Sequence, residues 1–267
     1  MGTIGKVAAM RVRGTEHEAE RAADWDEQWR QEPLRLDAPE HEARTLRWRD
    51  QERLVRELFG RVEGLQVVEI GAGRGLNALL FGKLGAQATL LDQSPVALEQ
   101  AKQLFDAHSV PVEPVEADLF ELPEALRGRF DVSMSYGLCE HFLGERRQAV
   151  VDAHLEVLRP GGLALLGVPN RLAPAYRLWM ATLKARGSWP LGTEVPFSAG
   201  ELRERGRAAG GEPLATIRGS FVGSLVDHGL NQVLFKLGRR PLAVPQLRLP
   251  GLDTFAYELL VPVRKPG

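Results

Sequence analysis

The chain has 267 residues, of which 44% are apolar and 26% charged, so neither a disordered polyelectrolyte nor a membrane-embedded protein fits. At about 150 residues per domain this predicts one or two domains. Lys and Arg number 34 against 35 Asp and Glu; with no net positive field, nucleic acid is not expected as a partner. The single cysteine, Cys139, rules out a disulfide within the chain and a multi-cysteine zinc site, and no metal is expected. A reducing cytoplasm suits it. The first twenty residues hold no apolar stretch of signal-peptide length, and no run of about 18 apolar residues occurs, so no integral membrane segment is expected.

Residues 15–63 are polar, with Trp25, Trp29 and Trp48 among many Glu and Arg, and read as helical. Leu54, Val55, Leu58, Phe59 and Val62 recur at helical spacing. Residues 1–64 are therefore expected to form a helical N-terminal extension or cap, and 65–267 the main domain. From Gln66 onward, short Val- and Leu-rich runs alternate with amphipathic stretches, the pattern of a buried parallel sheet with crossover helices. Strands are expected at Val67–Ile70, Ala88–Leu91, Val112–Ala117, Phe130–Ser135 and Leu163–Val168. A helix is expected at Ala199–Ala209, with late strands at Leu214–Ile217 and Phe255–Val263.

Two stretches interrupt this alternation, and insertions are placed at 171–198 and 219–250. Arg171–Trp189 carries +4 and Gly219–Pro250 carries +3, leaving the rest of the chain at −8. Their apolar stripes predict helices acting as a lid over a hydrophobic substrate, with a membrane-facing surface or a dimer face as alternatives.

Glycines 71, 73 and 75 directly follow the first strand. Such a turn brings backbone N–H groups against a ligand at a helix N-terminus. A dinucleotide fingerprint would require a glycine at 76, where Leu76 stands, so a nicotinamide or flavin enzyme is disfavoured. Glu69 inside the strand suits a ligand bearing an ammonium group. Asp92 ends the second strand at the spacing of a ribose-binding acid, and Asp118 ends the third, where it could accept from an adenine amine with Leu119 and Phe120 beside the ring.

The stretches EIGAGRG (69–75), LLDQS (90–94), VEADLFELP (115–123), FDVSMSYGLCEHF (130–142) and LRPGGLALLGVPN (158–170) resemble the class I S-adenosylmethionine-dependent methyltransferases, nearest to quinone and natural-product types. The resemblance implies a Rossmann-like α/β fold with a seven-stranded sheet, strand seven antiparallel between five and six, and helices on both faces. It also implies S-adenosylmethionine as cofactor, with Glu69, Gly71, Ala72, Gly73, Gly75, Asp92, Gln93, Asp118, Leu119 and Tyr136 binding it. His141, with Glu140 beside it, is the candidate base for an oxygen acceptor, set against a purely structural role. Trp25, Trp29, Asn170, Tyr176 and Trp179 are the candidate acceptor contacts. The expected reaction is methylation of a small, largely hydrophobic or lipid-like acceptor by a monomer or homodimer, with peripheral membrane contact as a further option. Glu140, His141, Phe142 and Gly144 are also similar to the EHF-G stretch of cyclopropane fatty acid synthases, so lipid methylenation is one alternative. A non-catalytic methyltransferase-like interaction module is another.

Overall fold

The computed structural model describes residues 25–189 and 192–267; the expected helical segment before residue 25 lies outside them. Residues 25–31 form helix α1. It is followed by α2 (Ala38–Glu42) and α3 (Leu46–Phe59). The Thr45 side chain caps α3 by accepting from the Trp48 N–H at 3.0 Å, and Gly60, at φ +73°, ends it. These are the usual start and stop devices of a helix.

The sheet then begins, with β1 (Gln66–Ile70), β2 (Gln87–Asp92), β3 (Val112–Glu116), β4 (Phe130–Tyr136) and β5 (Leu158–Pro169) all parallel. The crossovers β1–α4–β2 and β2–α5–β3 run through α4 (Leu76–Lys83) and α5 (Pro95–Ala107), and α6 (Gly144–Glu156) joins β4 to β5. Ser94 caps α5 with Pro95 at its first position, and its hydroxyl accepts from the Ala97 N–H at 3.1 Å. Later come α7 (Pro174–Ala185), α8 (Ala199–Ala208), the two-residue strands β6 (Glu212–Pro213) and β7 (Ile217–Arg218), and β8 (Glu258–Arg264).

The strand order is β3-β2-β1-β4-β5-β8-β6, with β7 also on β8. The last strand runs antiparallel between β5 and the short pair, as the resemblance implies. Eight strands replace seven because the expected sixth strand is two fragments. Alternate residues supply two cores on opposite faces. Val67, Val132, Met134 and Leu163 join Trp48, Phe81 and Phe105 on one, while Val68, Ile70, Phe130 and Leu166 join Val151, Phe197 and Leu202 on the other.

Three boundaries differ from expectation for local reasons. β5 starts at Leu158 because Leu158 pairs with Phe130 before the register shifts. β8 starts after Tyr257 because Leu252–Phe255 form a 3₁₀ turn, whose Asp253 carboxylate accepts from the Phe221 and Leu249 amides. The second insertion is helical only in part: α9 (Phe221–Leu225), a π-helical turn (Val226–Asn231) and α10 (Gln232–Lys236). From there to Pro250 no helix or strand forms; Asn231 holds the returning chain by bonding both backbone groups of Leu242.

Candidate active site

The carboxyl ends of β1, β2, β3 and β4 surround a cavity of about 290 Å³, the place where open α/β sheets receive ligands. At its floor, Gly71 and Gly73 have φ of +59° and +51°, a region that favours glycine. A Cβ at Gly73 would stand 2.6 Å from the Trp29 ring and one at Gly71 2.5 Å from Leu138. Backbone and side chains thus meet there at a distance only glycine allows.

Asp92 lines the cavity and holds the turn together. Its two carboxylate oxygens accept from the Gly73 N–H at 2.8 Å and the Ser94 N–H at 2.9 Å. Burial raises its proton affinity, and the two amides oppose that. A carboxylate has about four acceptor positions, so two remain for hydroxyl groups of a ligand. Asp118 accepts from the Phe120 N–H at 2.9 Å. Phe120 meets Phe142 edge-on at 5.1 Å, with the Arg146 guanidinium 4.8 Å over its ring. Two acids spaced along one rim with an aromatic wall beside the second fit a ribose and a base.

Glu69, expected among the cofactor contacts, stands under the turn rather than in the cavity wall. Its carboxylate accepts from the Ala78 N–H at 2.8 Å, tying β1 to α4, and burial pushes its pKa up to about 8. Gly75 likewise stays outside the cavity and caps α4.

Below the cavity lies a buried polar network. Arg47 of α3 donates to Glu258 at 2.9 Å, to Gln51 at 3.2 Å, to Asn77 at 3.1 Å and to Glu42, and its guanidinium lies 4.2 Å over the Tyr136 ring. Burial disfavours its charge, but Glu42 and Glu258 outweigh that. The Tyr136 hydroxyl donates to Gln51 at 2.6 Å, so the tyrosine that lines the cavity is fixed from beneath by an N-terminal helix.

The opposite wall is built by the 3₁₀ turn Cys139–His141 and the segment Thr193–Val195. The Val195 N–H donates to the Glu140 carbonyl at 2.9 Å, and His141 Nδ1 lies 2.8 Å from the Thr193 carbonyl. A carbonyl only accepts, so Nδ1 carries the proton and Nε2 is the basic nitrogen of the neutral ring. Trp25 packs edge-on against His141 at 5.1 Å. Cys139 is buried and its thiol is pushed up to about 12, first by desolvation, which leaves it a poor nucleophile.

Glu140 and Glu194 are 2% and 3% exposed, and both line the cavity. One carboxylate oxygen of each, Oε2 of Glu140 and Oε1 of Glu194, is buried without a hydrogen-bond partner. Desolvation pushes Glu140 up to about 8, with the Glu194 charge adding to it, and Glu194 up to about 7.

Helix α1 covers the mouth with Trp25, Gln28 and Trp29. It is held by Gln100 donating to the Trp29 carbonyl at 2.8 Å, Arg74 donating to the Glu32 carbonyl at 2.6 Å, and Ser94 donating to Asp26 at 2.5 Å. The site thus gathers Trp25, Trp29, Gly71, Ala72, Gly73, Asp92, Gln93, Asp118, Leu119, Tyr136, Glu140 and His141.

Three expected acceptor residues are elsewhere. Asn170 is buried, donating to the Thr254 and Ala256 carbonyls and accepting from Leu172 N–H. Tyr176 and Trp179 of α7 turn toward the second insertion, where both meet His228, at 5.2 and 5.8 Å. Tyr176 stacks behind Tyr257, which lines the cavity, at 4.6 Å. The apolar face of α7 finds its partner in the other insertion, so α1 covers the cavity instead.

Sequence reasoning missed Gln28, Leu138, Arg146, Glu194 and Tyr257. Glu194 carried a signal, being the one acid between Arg171 and Ser198. Among the described residues, no group of three or more His, Cys, Asp or Glu side chains is placed to hold a metal ion.

A family model described as a methyltransferase domain matches residues 67–162. This chain is similar to that family from β1 into the start of β5. It is 29% identical over 131 residues to a ubiquinone biosynthesis O-methyltransferase of Xanthomonas oryzae pv. oryzae, a match covering 47% of this chain and 54% of that one. The chain thus spans about half the length of the curated relatives it matches. Its fold is similar to the 1,6-didemethyltoxoflavin-N1-methyltransferase of Burkholderia thailandensis, with TM-score 0.57, 18% identity and coverage of 98% and 94% of the two chains. It is also similar to the magnesium protoporphyrin IX methyltransferase of Synechocystis PCC 6803, with TM-score 0.57, 15% identity and coverage of 92% and 94%.

Proposed function

We propose that the whole chain is an S-adenosylmethionine-dependent methyltransferase acting on a small, largely hydrophobic acceptor, at oxygen. The observation that carries this reading is the division of one cavity into two chemically distinct ends. Gly71–Gly73, Asp92 and Asp118 suit the nucleoside and amino-acid parts of the cofactor, while Glu140, His141, Glu194 and Tyr257 stand at the other end. The cofactor supplies a methyl group already activated on sulfonium, so the protein's part is to orient the acceptor and exclude water. His141, oriented by the Thr193 carbonyl, is the residue suited to receive a hydroxyl proton through Nε2. The name of the ubiquinone-pathway relative lends support to oxygen as the target.

The domain boundary is proposed near residue 65, with α1 rather than the two insertions acting as the cap. Calorimetric titration with S-adenosylhomocysteine and, separately, NAD tests the cofactor assignment. Saturable binding of the first alone is expected; binding of NAD alone would overturn it. For the oxygen target, His141→Ala is expected to lower kcat while leaving cofactor affinity unchanged; an unchanged kcat would remove His141 as the base.

Peripheral membrane contact is the proposed role of the exposed apolar face of α10. Val233, Phe235 and Leu237 are exposed beside Lys236, Arg239 and Arg240, a combination suited to an anionic lipid surface. No helix among the described residues is long and apolar enough to cross a membrane. Co-sedimentation with phosphatidylserine vesicles that weakens with salt and disappears in an Arg239→Glu, Arg240→Glu variant supports this contact; salt-insensitive or absent binding overturns it.

A further inference from the structure

We infer that the acceptor is a cation: a protonated nitrogen of the methyl-accepting molecule sits between the unpartnered carboxylate oxygens of Glu140 and Glu194, with aromatic rings closing around it. The inference rests on the methyltransferase reading of the cavity and concerns its second end.

Buried polar atoms are nearly always hydrogen-bonded, and a buried carboxylate without a partner is costly. Here two such oxygens belong to Glu140 and Glu194, side chains far apart in sequence and almost fully buried that both line one cavity. The nearby basic groups face other partners. Arg147 donates to Glu201 at 2.8 Å and to the Phe142 carbonyl at 3.3 Å, with its guanidinium against the Phe197 ring. Lys184 reaches Glu194, but at its backbone carbonyl, 3.2 Å away, and so leaves the carboxylate alone. His141 commits Nδ1 to the Thr193 carbonyl. The basic residues of the insertions, which sequence alone would put beside an anionic acceptor, are on the exterior: Arg171, Arg177 and Arg186 are exposed.

Arg146, which also lines the cavity, lies with its guanidinium 4.8 Å over the Phe120 ring on the Asp118 side, so what the two carboxylate oxygens themselves lack is a positive charge or strong N–H donor. The remaining lining agrees. Trp25, Phe142 and Tyr257 line the same cavity as the two side chains, and aromatic faces attract cations more strongly when water is excluded. Tyr257 is itself backed by the Tyr176 and His228 rings at 4.6 and 4.2 Å, so this wall is rigid. A neutral hydrocarbon would leave both oxygens unpaired, whereas a cation pairs with them as they ionise. The loop that carries Glu194 is stitched to the Glu140 turn on both sides, by the Val195 N–H on the Glu140 carbonyl and by the His141 ring on the Thr193 carbonyl, which fixes the spacing of the pair. One carboxylate cannot easily be charged beside the other without a counter-charge. An entering cation supplies it and releases a proton, chiefly from Glu140, which burial raises to about 8 against about 7 for Glu194. The titratable and charged groups around the pair are His141 and Cys139 on the same turn, Arg146 and Arg147 of α6, Lys184 of α7 and Tyr257 before β8.

The test uses the full chain saturated with S-adenosylhomocysteine and two flat probes of like size and opposite charge, benzamidinium and benzoate, followed by calorimetry. Benzamidinium is expected to bind at least tenfold more tightly than benzoate. Its enthalpy at pH 7 should vary with the ionisation enthalpy of the buffer, the sign of proton release. Glu140→Gln and Glu194→Gln are each expected to weaken benzamidinium at least tenfold with unchanged S-adenosylhomocysteine affinity. Should either variant fail to fold, the probe preference and proton release of the unaltered protein still decide. Equal or better binding of benzoate, or full benzamidinium affinity in both variants, overturns the inference and leaves the methyltransferase reading standing. Absence of S-adenosylhomocysteine binding to the unaltered protein overturns that reading, and the inference falls with it.

Discussion

The two ends of the cavity obey different rules. At the glycine turn every functional polar group is already engaged: Asp92 holds the Gly73 and Ser94 amides, Asp118 holds the Phe120 amide, and Glu69 holds the Ala78 amide. At the other end Glu140 and Glu194 keep oxygens in reserve. The first end is thus preorganised by its own bonds and needs only to add ligand bonds to them. The second is held in place by the Val195 amide and the His141 ring and completes its electrostatics only with a ligand.

The most damaging break at the first end is Gly73→Val. Its Cβ would run into Trp29 at a backbone angle that disfavours branched residues, so titration of the folded variant is expected to show no cofactor binding. Retained turnover would mean the turn does not meet the ligand. Next is Arg47→Ala beneath the cavity. Removing one partner of a buried ion-pair network costs about 3–5 kcal/mol, read as a lowered denaturation midpoint, and a loss below about 1 kcal/mol would show that the network contributes little net stability.

Asp92→Ala should weaken S-adenosylhomocysteine by about 1.5–3 kcal/mol for each lost charged hydrogen bond. It also removes the anchors of Gly73 and Ser94, so a smaller drop in stability accompanies it. Unchanged affinity would remove the ribose assignment.

At the second end, pH sharpens the contrast. A carboxyl raised from its ordinary 4.5 to about 8 in the fold, as Glu140 is, binds its proton more tightly in the native state. Its contribution is fully present below the unfolded value near 4.5 and is lost as pH rises through about 8. Unfolding measured between pH 5 and 8 should therefore show falling stability in the unaltered protein and a flatter profile in Glu140→Gln. The smallest effect is expected for Trp179→Ala. Trp179 touches Tyr176, which stands behind Tyr257, so acceptor KM should shift by no more than a few-fold and cofactor affinity not at all. A change in cofactor affinity would place α7 on the wrong side of the site.

This contrast also governs what could be read without coordinates. The first end lies on consecutive strand ends, where a strand, a glycine turn and an acid follow each other in fixed order, so Gly71, Gly73, Asp92 and Asp118 were legible. Glu140 and His141 follow β4 and were legible for the same reason. Glu194 and Tyr257 reach the cavity through loop packing among segments more than fifty residues apart from Glu140, and no local period encodes such a meeting. Tyr176 and Trp179 were misplaced because an apolar stripe announces that it needs a partner without saying which. The broken sixth strand escaped notice because two-residue fragments leave no alternation to detect.

Helix α1 lays one indole on each end of the cavity, Trp29 at Gly73 and Trp25 at His141. The other three of the five tryptophans sit elsewhere, Trp48 against Phe81 in the core and Trp179 and Trp189 in the aromatic cluster of the insertions. The molecule therefore carries a two-channel optical reporter. With Trp25 replaced by Phe, emission changes report filling of the nucleoside end; with Trp29 replaced, they report the acceptor end, so the order in which the two ligands arrive can be followed by stopped-flow fluorescence without any added dye.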